Sequence, residues 1–173
     1  MSATLRSTEP RDLPAITAIY GHHVRTGLAS FETSAPDEAE MRRRYDSIRA
    51  KGFPYLTAEL DGRVVGYAYA SLYRERPAYR FALEDSLYVH PDFMGKGIGR
   101  MLLTQLIADC EAVGCRQLIA VIGDSANSPS IGIHAALGFA MVGTFRSIGW
   151  KQERWLDTVL MQRTIGAGDT QVP

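Results

Sequence analysis

The sequence predicts a single domain of the α/β (α+β) class that contains a mixed sheet. Its 173 residues fit one domain of ordinary size, and 46% of them are hydrophobic, which is enough for a sizeable core. Hairpin patterns and strand–helix units follow one another in the order β-α-α-β-β-β-α-β-α-β-β. Hairpins pair strands antiparallel, whereas strand–helix–strand units pair them parallel, so the two together indicate a mixed sheet.

The first elements are a short strand and two amphipathic helices. Thr4–Ser7 is the predicted strand, and the segment after it carries apolar residues at helical spacing. We expect Thr8 to be the N-cap of that helix, with Pro10 in its first turn. A second amphipathic helix is predicted over Pro36–Lys51, and Gly52 is expected to end it.

The middle and end of the chain alternate strands with helices. "PYLTAEL", the turn Asp61–Gly62 and "RVVGYAYASLY" form the strongest hairpin signal. The later predicted elements are a strand at 81–89, a helix ended by Gly114, a strand at 116–123, a short helix from Asn127 to Gly138, and strands at 141–151 and 154–163. We assign residues 1–165 to the domain and expect 166–173 to be a flexible tail.

Composition excludes several classes of function. Nineteen basic and nineteen acidic residues cancel, so no net positive field is available for nucleic acid or for an anionic membrane. No apolar run approaches a membrane span and the first residues lack a secretion signal, so we expect a cytoplasmic protein. Cys110 and Cys115 have neither a disulfide framework nor zinc-site spacing, and we expect buried thiols and no metal.

A glycine-rich turn, "MGKGIG", separates the strand at 81–89 from an apolar helix. Gly95, Gly97 and Gly99 let the backbone approach a ligand, and the helix start adds unpaired N–H donors. With Lys96 and Arg100 nearby, a pyrophosphate is the expected ligand. The spacing fits neither the G-x-G-x-x-G dinucleotide fingerprint nor the P-loop. From the turn alone, a tight connection that binds nothing remains an alternative.

Five segments of the chain resemble one family of enzymes. "EDSLYVHPDFMGKGIGRMLL" and "NSPSIGIHAALGF" resemble the GNAT acyltransferase superfamily. Together with "FETSAP", "RPAYRFALEDSLYV" and "VGTFRSIGWKQERWLDTVLMQ", they resemble its phosphinothricin / methionine sulfoximine N-acetyltransferases. The resemblance covers most of the chain. It implies the GNAT fold, a mostly antiparallel central sheet flanked by helices, and acetyl-CoA as co-substrate.

The resemblance also implies which residues bind acetyl-CoA. The backbone at the end of the fourth strand would face the pantetheine, the glycine-rich turn would hold the pyrophosphate, and Asn127 would contact the cofactor while capping its helix. The residues implied are Leu87, Tyr88, Val89, Gly95, Lys96, Gly97, Ile98, Gly99, Arg100 and Asn127. Met94 departs from the Gln or Arg of the family pattern, and it can supply neither charge nor a strong hydrogen bond. We therefore expect binding to survive but to be weaker.

Two residues are candidates for the proton chemistry. Glu84 is the expected base, because a carboxylate among Phe81, Leu83 and Leu87 would be partly desolvated and its pKa raised. The resemblance implies the same role, acting through a water. His134 has two interpretations that the sequence leaves open. It either donates to the departing thiolate or contacts coenzyme A, or it is a helix histidine satisfied by a backbone carbonyl.

The acceptor site is expected on two loops. Arginines suit the bidentate recognition of carboxylate or phosphinate groups, and "LYRERPAYR" concentrates three of them before Glu84. The resemblance implies substrate binding by Phe31, Glu32, Arg74, Glu75, Arg76 and Arg80. It also implies a homodimer whose partner contributes to the pocket, with Trp150 and Trp155 in or near the interface.

The sequence thus predicts an N-acetyltransferase that transfers acetyl directly to the α-amine of a small amino-acid-like acceptor, in a ternary complex. Phosphinothricin and L-methionine sulfoximine are the leading acceptors. Two alternatives remain, an acetyltransferase for another amine such as a protein N-terminus or a polyamine, and a non-catalytic acyl-CoA-binding sensor. Turnover on an amine separates the enzyme from the sensor.

Overall fold

The computed structural model describes residues 3–173, in which seven strands form one mixed sheet. The strands are β1 (Thr4–Ser7), β2 (Tyr55–Leu60), β3 (Arg63–Leu72), β4 (Ala82–Val89), β5 (Gln117–Gly123), β6 (Ala140–Lys151) and β7 (Arg154–Thr164). The helices are α1 (Leu13–Thr26), α2 (Glu38–Ala50), α3 (Ile98–Ala112) and α4 (Ser128–Ala136). The strand order is β1-β2-β3-β4-β5-β7-β6, and only β4 and β5 pair parallel. The predicted fold class and element order are confirmed.

Turn residues end the elements where the sequence predicted. Asp61 and Gly62 both have positive φ, 50° and 75°, as a tight two-residue hairpin turn between β2 and β3 requires. Gly52, Gly114 and Gly138 have φ of 76°, 85° and 84° and follow α2, α3 and α4. A left-handed residue at this position lets the chain leave the helix while its last carbonyls stay paired.

The predicted starts of the first two helices were wrong by a few residues. Thr8 is not an N-cap, because its hydroxyl lies 2.7 Å from the Thr57 hydroxyl on β2. A 3₁₀ turn, Pro10–Asp12, intervenes instead, and α1 begins at Leu13. The second helix begins after Asp37, whose carboxylate accepts the Glu40 N–H at 2.8 Å. At the second boundary, the Asp37 carboxylate satisfies an N–H group that the start of the helix would otherwise leave unpaired.

Two apolar clusters lie on opposite faces of the sheet. One contains α3 residues such as Leu102 and Leu106, which are fully buried where α3 packs against β2, β3 and β4. The other joins α1 and α2 to the sheet through buried tyrosines such as Tyr55 and Tyr67. Because successive side chains of a strand point to opposite faces, β4 contributes to both clusters. The strand is therefore held rigidly between α1 and α3.

The parallel pair β4–β5 separates partway along its length. Its pairing runs only from Ala82–Asp85 against Gln117–Ala120. Beyond it, the backbone of residues 86–89 has no strand partner on the β5 side, and a small cavity of about 60 Å³ lies between the two strands. The loop after α1 crosses the end of this gap. A Cβ on Gly123 would lie 2.4 Å from the Ala29 carbonyl oxygen, so only glycine fits there.

Candidate active site

A cleft of about 530 Å³ opens where β4 separates from β5, between the N-termini of α3 and α4. Its volume is in the range of small-molecule sites. All of the residues implied to bind the cofactor line it except Lys96. Separation of two paired strands leaves backbone N–H and C=O groups unpaired at the cleft, and a ligand can satisfy them.

The glycine-rich turn has two glycines in a conformation that other residues avoid. Gly95 and Gly97 have φ of 73° and 81°, and Gly97 is the N-cap of α3. The first N–H groups of α3 therefore open toward the cleft beside a left-handed turn, an arrangement that binds anions. Gly99 differs, because it is helical, and a Cβ there would meet Leu87 and Ile133 at ordinary contact distances.

The charged and apolar side chains of this turn are placed differently from the glycines. Lys96 Nζ donates to the Asp92 carbonyl at 3.0 Å and lies 4.7 Å from the centroid of the Phe93 ring, so it is folded back onto its own turn. Met94 is 57% exposed and lines the cleft. Arg100 is exposed at its edge. The backbone, more than these side chains, forms the anion-binding surface.

Asn127 has the capping role that the sequence predicted. Its Oδ1 accepts the Ser130 N–H at 3.3 Å, and its Nδ2 donates to the Gly123 carbonyl at 3.4 Å. The side chain therefore joins the start of α4 to the end of β5. It also lines the cleft, so one amide positions the helix and one wall of the site.

Glu84 lies midway along β4, opposite Ser71 of β3 and Ile119 of β5. Its carboxylate is half-buried, and burial raises its pKa from the usual 4.5 to about 7. The negative charge of Asp85 adds to the rise, whereas Arg74 opposes it. The predicted direction of the pKa shift is confirmed. A carboxylate with a pKa near neutrality is suited to accept a proton.

The neighbours expected to bury Glu84 were wrong. Leu83 and Leu87 belong to the α3-side cluster, on the other face of the strand. Phe81 packs under the Arg80 guanidinium, 4.4 Å from its ring centroid. The group that shares the Glu84 environment is the half-buried Tyr69 of β3, whose pKa is raised by desolvation and further by the Glu84 charge.

His134 is 2% exposed, and both of its ring nitrogens have protein partners. Nδ1 lies 2.7 Å from the Ser130 carbonyl, and Nε2 lies 2.9 Å from Asp85 Oδ2. Burial disfavours the imidazolium, yet Asp85 and the Ser130 carbonyl together outweigh it and raise the pKa. Of the two interpretations left open, these contacts correspond to the backbone-satisfied histidine, with an additional buried carboxylate that the sequence did not indicate.

Of the arginine-rich segment at residues 72–80, only a part acts on Glu84. Arg74 is exposed, stacks 4.9 Å from the Tyr73 ring centroid and acts electrostatically on Glu84. Arg76 and Arg80 are exposed as well, and Arg80 donates to the Pro77 carbonyl. Glu75 is 90% exposed at its side chain and lies 3.6 Å from Lys51. Among these four predicted residues, Arg74 is the one whose charge reaches the carboxylate.

Phe31 and Glu32 lie on the loop between α1 and α2. Phe31 is exposed and packs on Gly149 of β6, where a Cβ would lie 2.3 Å from its ring. Glu32 accepts from Arg44 at 2.6 Å and from the Tyr20 hydroxyl at 2.8 Å. Arg44 was not predicted from the sequence, since nothing distinguishes it within the run of arginines on α2.

Three relationships to known proteins agree with this geometry. Residues 17–139 match the acetyltransferase (GNAT) family. The chain is 58% identical over 172 residues to a phosphinothricin N-acetyltransferase of Alcaligenes faecalis, covering 99% of this chain and 87% of the relative. It is 36% identical over 159 residues to an L-methionine sulfoximine/L-methionine sulfone acetyltransferase of Salmonella typhimurium, covering 92% of each.

A solved structure has the same fold. A GNAT superfamily phosphinothricin acetyltransferase from Sinorhizobium meliloti, in complex with acetyl-CoA, superposes with a TM-score of 0.97 at 48% identity. The superposition covers 100% of this chain and 94% of that chain. Within residues 3–173, no helix has both the length and the hydrophobicity to cross a bilayer, and no cluster of three or more His, Cys, Asp or Glu side chains is arranged for a metal.

Proposed function

The chain belongs to the acetyltransferase (GNAT) family, and from that premise we propose that it acetylates the α-amine of phosphinothricin, L-methionine sulfoximine or a similar amino-acid-like acceptor. The family resemblance, the N-acetyltransferase activity and acetyl-CoA as co-substrate are confirmed. One observation carries the site assignment. Glu84, with a pKa of about 7, lies three residues before the Leu87–Val89 segment that lines the cleft.

The cleft supplies the contacts that acetyl-CoA requires. The left-handed turn at Gly95 and Gly97 and the first N–H groups of α3 would hold the pyrophosphate. The unpaired backbone of Leu87–Val89 would pair with the pantetheine and place an N–H near the thioester oxygen. Such a donor stabilises the oxyanion and is worth about 3–4 kcal/mol where one has been removed from other enzymes.

Glu84 would accept the proton that the acceptor's ammonium must lose before it can attack, through an intervening water. The amine nitrogen then bonds to the thioester carbonyl carbon, and the C–S bond breaks so that the sulfur leaves as a thiolate. The second proton that the nitrogen loses on becoming an amide balances the proton that the thiolate takes up. At neutral pH a base with a pKa of about 7 is unprotonated in much of the population while still being basic enough to act.

A direct transfer fits the cysteines of the chain. Cys110 and Cys115 are both buried free thiols, and burial raises the pKa of each. Because the thiolate is the nucleophilic form, neither is suited to carry the acetyl group. The proposed reaction therefore proceeds in a ternary complex without an acetyl-enzyme.

His134 remains in the proposal as the donor of a proton to the departing thiolate. Its raised pKa keeps a proton available. Its contacts set a condition, because Nε2 must exchange Asp85 for the thiolate in order to donate. A His134→Gln variant tests this role, since Gln can still donate a hydrogen bond but cannot transfer a proton. Loss of thiolate protonation would lower kcat while leaving the KM for acetyl-CoA unchanged.

The acceptor carboxylate is assigned to Arg74, beside the base. Arg76, Arg80, Glu75, Phe31 and Glu32 complete the proposed acceptor-binding set. Arg74 and the Glu84 carboxylate interact electrostatically, so an α-amino acid whose carboxylate binds Arg74 would place its amine toward Glu84. This arrangement favours an acceptor that has an amine and an acid on adjacent atoms.

An acceptor panel tests the proposed substrate class. Release of free coenzyme A is measured with L-methionine sulfoximine, phosphinothricin, a peptide N-terminus and a polyamine. We expect turnover with the first two. Turnover confined to the peptide or the polyamine would overturn the acceptor assignment, and acetyl-CoA binding without turnover on any amine would support a sensor instead.

We further propose a homodimer in which a second copy covers β6. This edge strand and its hairpin expose large apolar side chains, namely Met141, Val142, Phe145, Ile148, Trp150 and Trp155, each more than half exposed. An apolar edge strand of this kind is a common site of association. Sedimentation of the wild type and of Trp155→Glu tests the proposal. A monomeric wild type at micromolar concentration would contradict it.

A cytoplasmic location and a domain that ends near residue 165 complete the proposal. The location is supported by the two free thiols, which oxidising compartments tend to pair. The boundary is supported by the end of β7 at Thr164. Removal of residues 166–173 tests it, because an independent domain should keep its activity and its midpoint of thermal unfolding.

A further inference from the structure

The loop at residues 27–37, which carries Phe31 and Glu32, is held by the end of β5 and by the β6–β7 hairpin. We name it the acceptor loop. Gly123 at the end of β5 lies against the Ala29 carbonyl so closely that a Cβ would be 2.4 Å from its oxygen. The β6–β7 hairpin holds the other side, through Gly149 under the Phe31 ring and through Lys151.

Lys151 is a buried lysine for which the proposed mechanism has no role. It is the last residue of β6 and is 6% exposed, although lysine is rarely buried to this degree. Its Nζ donates to the Ser30 carbonyl at 2.6 Å, which is the one side-chain hydrogen bond that it makes within residues 3–173. Burial lowers its pKa, and the Glu32 charge partly opposes that effect.

Ser30 connects this lysine to the acceptor side. The Ser30 hydroxyl accepts from the Glu32 backbone N–H at 3.2 Å and lies 3.0 Å from the Tyr20 hydroxyl. Tyr20 in turn donates to the Glu32 carboxylate at 2.8 Å. The position of the Ser30 backbone therefore determines the positions of Phe31 and Glu32. Its carbonyl is anchored by Lys151, which lies 121 positions further along the chain.

Anchoring a loop with a buried lysine costs more stability than packing an apolar side chain against it, so the lysine points to a need to fix the position of the loop. Burying an ammonium with one hydrogen bond is unfavourable, and an apolar side chain would fill the same space at less cost. Gly149, two residues earlier on the same face of β6, accommodates the Phe31 ring at a distance that no Cβ allows. Two positions on the same face of β6, Gly149 and Lys151, are thus both adapted to the loop.

We propose that Lys151 is a positioning residue for acceptor binding, which orients Phe31 and Glu32 by anchoring the Ser30 carbonyl to the β6–β7 hairpin. The proposal rests on the proposed function, since it assigns the loop to the acceptor side. It makes the hairpin, which also carries the two exposed tryptophans, part of what determines acceptor affinity.

Kinetics of three variants test the proposal. Lys151→Met removes the donor and the charge while keeping similar volume, and Lys151→Arg keeps both. Gln152→Ala is the matched control, because Gln152 lies on the same hairpin but donates to the Arg25 carbonyl at 3.4 Å, outside the acceptor loop. We expect Lys151→Met to raise the acceptor KM roughly tenfold with the acetyl-CoA KM unchanged, Lys151→Arg to recover most of this loss, and Gln152→Ala to leave both constants unchanged.

Hydrogen exchange supplies a second, activity-independent readout. Backbone amides of residues 27–37 should exchange faster in Lys151→Met than in the wild type, whereas those of β4 should not change. If Lys151→Met does not fold, Lys151→Gln, which keeps a shorter donor, takes its place in both measurements. Wild-type protein without turnover on any amino acid would overturn the proposed function, yet hydrogen exchange would still test the anchoring.

Three results would contradict the positioning role of Lys151. Equal rises in both KM values, or unchanged exchange in the acceptor loop, would overturn the positioning role and leave Lys151 as a structural residue. A fall in kcat with both KM values unchanged would also overturn it, because the effect would then lie in the chemical step.

Discussion

The cofactor side and the acceptor side of the active site are formed by different kinds of protein group. The cofactor side consists of backbone, namely the left-handed turn at Gly95 and Gly97, the start of α3 and the unpaired end of β4. The acceptor side consists of charged side chains on exposed segments, such as Arg74, and on the acceptor loop. Backbone geometry is shared by every protein with the fold, whereas side chains on loops vary freely.

This difference explains why the sequence identifies the cofactor side more precisely than the acceptor side. A turn that needs positive φ leaves glycines in the sequence, so the anion-binding surface is visible as a motif. A charge cluster formed by distant residues leaves no such pattern. The co-substrate is accordingly established, while the acceptor is assigned only by class. Three variants should each alter one side of the site and spare the other, and a fourth, at Glu84, should alter the chemical step that both sides share.

The largest effect is expected where the two halves meet. Glu84→Gln should lower kcat at least 100-fold, because a general base contributes about 10²–10⁴-fold, and the inflection of the pH–rate profile near pH 7 should disappear. Steady-state rates from pH 5.5 to 9 measure both. An unchanged rate and pH profile would remove Glu84 as the base.

Glu84→Gln should also be more stable than the wild type at alkaline pH. The folded pKa of Glu84 is raised from 4.5 to about 7, so the folded state holds a proton that the unfolded state has lost between these values. Stability from this group therefore falls as pH rises from about 4.5 to 7. Denaturation of Glu84→Gln should show a gain of about 1–2 kcal/mol at pH 8, allowing for solvent screening, and none at pH 4.

The next largest effect is expected on the acceptor side alone. Arg74→Ala should raise the acceptor KM by about tenfold or more, since it removes a charge-assisted contact, and leave the acetyl-CoA KM unchanged. Because Arg74 lowers the pKa of Glu84, the inflection of the pH profile should also move to higher pH. Arg42→Ala, at an exposed α2 arginine paired with Glu38, is the control. Equal changes in both KM values would contradict the division.

A smaller effect is expected on the cofactor side alone. Gly97→Ala places a Cβ in open space but at φ +81°, so only backbone strain of about 1–2 kcal/mol opposes it. The acetyl-CoA KM should rise several-fold, and the acceptor KM should not change. Gly132→Ala, an exposed helical position of α4 with no atom within 4 Å of the added Cβ, should leave both constants unaltered. Isothermal titration with coenzyme A measures the binding directly.

The smallest effect is expected from the residue that departs from the family pattern. Met94→Arg would add a charge at the edge of the cleft and should lower the acetyl-CoA KM about two- to fivefold, with the gain shrinking as salt is added. An unchanged KM at low salt would mean that the backbone holds the pyrophosphate alone. The acceptor KM serves as the internal control.

The sequence predicted the elements well and their contacts poorly. Gly52, Gly114 and Gly138 ended helices as expected because a left-handed residue acts within its own turn. Thr8 was misassigned because Thr57, 49 residues away, takes its hydroxyl. The neighbours of Glu84 were wrong although its raised pKa was expected, since Leu83 and Leu87 point to the other face of β4.

The sequence alone determined the mixed fold, the glycine turn, the Asn127 cap and the candidacy of Glu84, because periodicity, turn chemistry and capping act over a few residues. Tertiary structure alone decided where β4 leaves β5, which carboxylate meets His134 and how Lys151 reaches Ser30. The last two contacts join residues 49 and 121 positions apart. Contacts of that range depend on the packing of whole elements against a shared core, which no local pattern in the chain encodes.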